Sequence, residues 1–287
     1  HDPSQPGPGA PRLLYFGSRL PGDLDAAELE AALELGPRES THDAAAPPSL
    51  FPLSGLGWMG EPALTAVRED GRTPLSWTSS TLSLEAEAIV AALEDERTGL
   101  SVALRLALDA QTGVLAAQAR IANSSAQTLR LHRAASLCLP LPDWARCVLA
   151  FEGDWSREQQ AERFTAPPGL WRRVSRTGRT GFPGSTFAVL EPQADEGAGR
   201  VLAFHLAWSG EHGEGVETLP GGARVVQLAA ELPAGGLALA PGETWTTPSA
   251  YAAFSATGFT GVSDAFHPFV RRAILPAQSR IRRKVHF

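Results

Sequence analysis

The chain has 287 residues, 43% of them hydrophobic and 20% charged, a balance ordinary for a soluble globular protein with ample chain to bury a core. Its formal net charge of −6, with no long Lys/Arg block, argues against a nucleic-acid surface. No segment approaches the roughly 18 consecutive apolar residues of a membrane span, so no membrane partner is expected.

The length allows one large β domain or two smaller ones. HDPSQPGPGAP at residues 1–11 is Pro/Gly-rich and reads as flexible. No signal peptide is visible, although the chain begins at His1 rather than Met; this favours a cytoplasmic location. LLYFGSRL (13–20) reads as a short strand. DAAELEAALELG (25–36) reads as a short helix, with Asp25 as its cap, Glu28 as the capping-box partner and Gly36 as the stop.

From residue 62 the hydrophobic period becomes two. TLSLEAEAIV (81–90), LSVALRLALD (100–109), VLAAQARIANSS (114–125) and TLRLHRAASLCLPLP (128–142) predict antiparallel strands with short loops. Further strands are expected near 185–191, 199–209, 223–232 and 243–254, punctuated by PGG and PAGG. No helical pattern alternates with them, which argues against a doubly wound or α/β-barrel fold within this chain. The expectation is a large antiparallel β-sandwich. In GVSDAFHPFVRRAIL, Ser263 can cap a helix that sets Phe266, Phe269, Val270 and Ala273 on one face. The chain closes with the strand-like SRIRRKVHF. Cys138 and Cys147 read as two unpaired thiols.

HLAWSGEHGEG (205–215) gathers His205, Glu211, His212 and Glu214 within eleven positions. A zinc site needs three or four converging ligands, and no second His/Cys cluster completes this set. Loop decoration is therefore the favoured reading, and no metal or other cofactor is expected. Gly-x-Ser-x-Gly, the phosphate-binding loop and the dinucleotide fingerprint are all missing. Acidic residues are plentiful, but spacing cannot pair two across a glycosidic bond. Seven tryptophans remain. Trp208 and Trp245 sit in alternating strands and read as core; Trp58, in the Gly-rich GLGWMGEP, is the best candidate for exposure and sugar stacking.

Several stretches, in order, resemble one family: LLYFGSRL, GLGWMGEPAL (55–64), RIANSS (120–125), FEGDWSREQQ (151–160), VSRTGRTGF (174–182), HLAWSGEHG (205–213), LAPGETWTTPSAYAAFSATGFTGVSDAFHPFVRR (239–272) and KVHF. The ordered set G-x-W-x-R-E, S-x-x-G, W-S-G and P-G-E-x-W-x-T-P is similar to the N-terminal domain of glycoside hydrolase family 36 alpha-galactosidases, over nearly the whole chain after residue 12. The resemblance implies a mainly β fold, a large antiparallel β-supersandwich with a short early helix and a C-terminal linker helix. It divides the chain into a tail (1–12), the supersandwich (13–258), and a linker helix with the start of a missing catalytic barrel (259–287). That barrel would carry both catalytic aspartates of a retaining mechanism; they have no matching positions here, so no catalytic residue is assigned.

Many family members carry G-x-G-D-[FY]-R in the glycine loop, which can reach a sugar site, sometimes a neighbouring subunit's. Trp58-Met59-Gly60 stands in its place, so Trp58 and Met59 are the carbohydrate-contact candidates, by stacking rather than by polar contact. Phe266, Phe269 and Phe287 are the barrel-interface candidates. HLAWSGEHG resembles the family's L-x-W-S-G-N hairpin, a strand and turn rather than a reactive centre. The implied partners are the chain's own catalytic barrel, further copies in a homo-oligomer, and galactosides. Two other readings compete: a stand-alone carbohydrate-binding module, and a mutarotase-type epimerase drawing on His132, His205, His212 and Glu158.

Overall fold

The computed structural model describes residues 9–18, 20, 22, 25–33, 46–182 and 186–275. Helix α1 (Ala26–Leu33) is followed by strands β1 (Leu64–Arg68), β2 (Ser79–Glu85), β3 (Ala88–Asp95), β4 (Leu100–Leu108), β5 (Leu115–Asn123), β6 (Leu129–Leu141), β7 (Cys147–Asp154) and β8 (Arg157–Thr165). Then come β9 (Gly169–Ser175), β10 (Thr186–Leu190), β11 (Val201–Leu206), β12 (His212–Thr218), β13 (Arg224–Ala230), β14 (Leu237–Leu239), β15 (Thr244–Thr246) and β16 (Ala250–Ser255). Helix α2 (Gly258–Phe269) runs into a π-helical turn, Val270–Ile274.

The strands form two antiparallel sheets. The smaller has the order β1-β6-β13-β12-β9, with β14 added to β6; the larger runs β2-β3-β4-β5-β16-β11-β10-β7-β8, with β15 added to β5. This is the expected mainly β sandwich with one early and one late helix. Its core is built by period-two alternation: Leu100, Val102 and Leu104 of β4 meet Leu129, Leu131, Val226 and Leu228 from the other sheet in one buried cluster. Phe187 and Phe204 stack at 5.2 Å within it. Over β16 and β11 the outer face of the larger sheet is covered by α2, which buries Ala265 and Phe269 against Val114 and Ala253.

Several local expectations hold. Asp25 Oδ1 accepts the Glu28 N–H at 2.8 Å and Glu28 reaches back to the Asp25 N–H, so the capping box forms. Gly36 and the terminal SRIRRKVHF lie outside the described residues, as does Phe287. Cys138 and Cys147 are both free and buried, and burial pushes the Cys138 thiol up to about 12. The reading of residues 1–11 as flexible is corrected at their described end: Ala10 is buried in the core and the Pro11 carbonyl accepts the Leu50 N–H at 2.8 Å.

Others are corrected. Residues 13–18 form no strand. TLSLEAEAIV is a hairpin, because Ala86 takes a left-handed φ of 45° and turns the chain between β2 and β3. Strands β1, β7, β8, β9, β12 and β14 lie outside the strands read from the sequence; β8 is polar on both faces and has no alternation to read. Helix α2 begins at Gly258, five residues before Ser263. Its first N–H groups are satisfied by backbone carbonyls: Gly258 donates to Gly199, Phe259 to Asp195 and Thr260 to Glu196. A loop therefore does the work assigned to a side-chain cap.

Candidate functional site

The glycine loop is held by backbone, indole and carboxylate bonds. Leu56 and Gly57 both have left-handed φ, 56° and 79°, and fold the chain back so that the Trp58 N–H reaches the Gly55 carbonyl at 3.2 Å. Trp58 then turns inward, only 8% exposed, onto Leu219 and Val225 on the outer face of the smaller sheet. Its indole Nε1 donates to the Glu61 carbonyl at 3.1 Å. The exposure expected for Trp58 is thus not found: the loop is short and apolar ground lies beneath it, so the ring is buried for its area. A Cβ on Gly60 would lie 2.5 Å from Leu219 Cδ2 and 2.8 Å from Glu217 Oε2, so these side chains would have to shift to admit one. Met59, 50% exposed, and Leu56, 46%, form the outward tip.

Glu61 holds the loop to four strands. Its carboxylate pairs with Arg133 of β6 at 2.9 Å and with Arg172 of β9 at 3.3 Å. Its N–H donates to Glu217 of β12 at 2.7 Å, and its carbonyl accepts Gln227 Nε2 of β13 at 2.7 Å. Arg133 also donates to Gln227 Oε1 and to the Pro62 carbonyl. Arg172 continues the network to Glu231. Burial lowers the Arg133 pKa from its ordinary value, and the Glu61 charge opposes this. Burial raises the Glu217 carboxyl, against the bond from the Glu61 N–H.

Beside the loop lies a cleft of about 380 Å³, lined by Pro11, Arg12, Leu53, Leu56, Trp58 and Trp77 among others. Such a volume lies near the lower end of small-ligand sites. Two indoles, apolar side chains and one guanidinium offer stacking and a single charged contact. The Trp77 indole is anchored to the Phe51 carbonyl at 3.0 Å, so its orientation is set.

The second cluster corrects the loop reading of EHGEG. Residues 212–218 form β12, and His212 and Glu214 share the core-facing side with Val216. Glu214 is 1% exposed and paired with Arg173 of β9, which also donates to the Phe151 carbonyl. Burial raises the Glu214 carboxyl, opposed by Arg173 and His212. Among the described residues Glu214 Oε2 has no hydrogen-bond partner. His212 Nδ1 lies 2.8 Å from the Gly210 carbonyl. Among the described residues no group of three or more His, Cys, Asp or Glu could hold a metal.

The remaining candidates are dispersed. His132 is exposed on the outer face of the smaller sheet, His205 lies on the outer face of the larger, and His212 points between them. Glu158 sits on the β8 edge. The four do not share a cleft. Phe266 and Phe269 turn inward, Phe269 against Tyr251 at 5.1 Å, so the exposed apolar end of this helix is instead Val270, Ile274 and Leu275. Trp208, expected in the core, is 47% exposed, because β11 ends at Leu206 before the ring is reached. Trp245 packs against the core as expected. The strand partners of Glu61 lie 72 to 166 residues further along the chain, and no local pattern announces them.

Fold and site define a two-sheet β-sandwich domain that displays one braced loop. Residues 9–240 match the glycosyl hydrolase family 36 N-terminal domain, and the chain belongs to that family. It is 31% identical over 280 residues to an alpha-galactosidase of Escherichia coli, covering 96% of this chain and 38% of that enzyme. It is 28% identical over 205 residues to alpha-galactosidase AgaA of Geobacillus stearothermophilus, 70% of this chain and 28% of the relative. The solved structure of AgaA superposes with a TM-score of 0.83 at 23% identity, over 98% of this chain and 43% of AgaA. That of the Lactobacillus brevis alpha-galactosidase gives 0.79 at 21% identity, over 90% and 38%. The chain thus spans less than half the length of these relatives.

Proposed function

We propose that this chain is the non-catalytic N-terminal domain of an alpha-galactosidase that releases terminal α-linked galactose from oligosaccharides. Its role is to support the catalytic barrel and the contacts of a homo-oligomer. The observation that carries the reading is the E. coli relative: 96% of this chain aligns with only 38% of an alpha-galactosidase. In this reading residues 13–258 are the sandwich, 259–287 lead into the barrel, and the protein acts in the cytoplasm. The test is hydrolysis of an aryl α-galactoside. The 287-residue chain alone is expected to show none, and enzyme-like turnover by it would sink the proposal.

The cleft and the outward tip of the glycine loop support a subsidiary proposal, sugar contact by Met59 with Trp58 as its rigid base. AgaA has been solved with raffinose and, in another variant, with stachyose, and α-galactosides of that kind are the ligands to try. Met59→Ala is expected to weaken millimolar binding by calorimetry. Absence of any heat with melibiose or raffinose on the parent chain counts against sugar contact by this domain alone.

A further inference from the structure

The two edges of the larger sheet are built differently. Strand β8, at one edge, carries Arg157, Glu158, Glu162 and Arg163, all exposed, and pairs with β7 through a bulge. Charge and irregularity of this kind prevent an edge from pairing with another chain. Strand β2, at the other edge, pairs among the described residues with β3 alone. Its sequence SSTLSLE has no proline, no basic residue and one charge, at its last position. Residues Thr81–Glu85 are exposed on both faces.

The exposed face of β2 is also continuous with the core. Leu82 lies opposite Ala91 and Leu84 opposite Ile89, while Ala91 and Ile89 lie opposite Leu104 and Leu106 of β4. Ala91 and Leu104 are buried between the sheets, whereas Leu82, Leu84 and Ile89 are 63%, 79% and 47% exposed. The apolar row therefore begins in the core and runs out past the cover of the smaller sheet. An uncharged edge beside an uncovered apolar row has the chemistry of an unfilled strand position.

We infer that β2 is a self-association surface, where a second copy of this chain pairs its own β2 antiparallel about a two-fold axis normal to the sheet. The occupant follows from the strand's self-complementarity. With Ser83 opposite Ser83 of the other copy, Leu82 meets Leu84 twice on one face. On the other, Thr81 meets Glu85 twice. Ser79 faces Glu87, so neither acid of the hairpin opposes another acid. A two-fold axis in this orientation keeps both leucine rows on the same side and joins the two larger sheets into one. This deepens the oligomer proposed above but stands without the galactosidase assignment, because it rests on edge chemistry alone.

The experiment is light scattering on the 287-residue chain at micromolar concentration and above. Twice the mass of one chain is expected, and Leu84→Lys, at a site too exposed to affect folding, is expected to return the monomer. Glu158→Lys on the β8 edge is expected to leave the dimer unchanged. Register is read separately: Ser83→Cys chains are expected to be joined by a short bis-maleimide, while the parent, whose two thiols are buried, is not. A parent that stays monomeric overturns the proposal, as would be the case if a further domain or another protein covered β2. A dimer that survives Leu84→Lys also overturns it. Loss of hydrolysis is no part of this readout, so its failure is distinct from failure of the galactosidase reading.

Discussion

Glu61 concentrates more of the site's structure than any residue the sequence singled out. Its carboxylate faces two guanidiniums, its N–H faces Glu217, and its carbonyl takes bonds from Trp58 and Gln227. Glu61→Ala would leave Arg133, 12% exposed, without its closest counter-charge. Removing one partner of a buried pair costs about 3 kcal/mol, and a lower urea midpoint is the expected result. Glu61→Gln should lose less, since an amide oxygen still accepts from arginine. Equal losses for the two variants would show that packing, not charge, holds the loop. The glycine loop and its indole were visible in the sequence, but the direction of the ring was not. Whether Trp58 points out or in depends on Leu219 and Val225 being beneath it, and those lie in the turn and strand after β12, far along the chain.

At the scale of elements, alternation was readable where a strand has one face in the core and one outside. Strands β4, β5 and β6 fit that description and were expected within a residue or two. Strands exposed on both faces, such as β8, have no such pattern, and β12 was hidden by glycines that read as a loop. Gly213 and Gly215 are there because the chain is crowded: a Cβ on Gly215 would sit 2.7 Å from the Trp171 carbonyl of the neighbouring strand. Helix α2 shows the same limit. Its start is set by Gly258, whose φ of 65° and a would-be Cβ contact of 2.1 Å with the Asp195 carbonyl demand glycine. Gly258→Ala is predicted to cost about 2 kcal/mol from the left-handed backbone alone, with the clash adding to it. A thermal melt with an unchanged midpoint would contradict this account of how the helix docks. At its other end Arg272 pairs with Asp109 in the β4–β5 turn, and that bond holds the Asp109 carboxyl down at about 2.

Across the whole molecule the titrating groups pull in opposite directions. Asp70 and Asp109, each held near 2 by an arginine, contribute stability that is present above their unfolded values and lost as pH falls through about 2. Glu214 and Glu217 are raised by burial. Their folded forms keep the proton longer, so their contribution is fully present below the unfolded glutamate value and declines as pH rises through the raised one. Glu217→Gln, whose amide oxygen can still accept the Glu61 N–H, should therefore match the parent in acid and gain on it towards neutrality. Melting temperatures from pH about 4 to 7 would read this; parallel curves for parent and variant would refute it.

By itself the sequence determined the class of fold, the family, the early capped helix and most of the core strands. These depend on the period of apolar residues, on capping chemistry and on ordered motifs, all of which act over a few positions of chain. Tertiary structure decided which way Trp58, Trp208, Phe266 and Phe269 point, that Glu214 is a buried ion-pair partner rather than a loop residue, and that Glu61 is the clasp of the glycine loop. It also decided that β2 lies at the edge of the larger sheet, uncovered among the described residues. Each of those outcomes depends on what a distant strand places opposite a side chain. Burial and pairing are properties of two surfaces meeting, and one surface read along the chain does not contain the other.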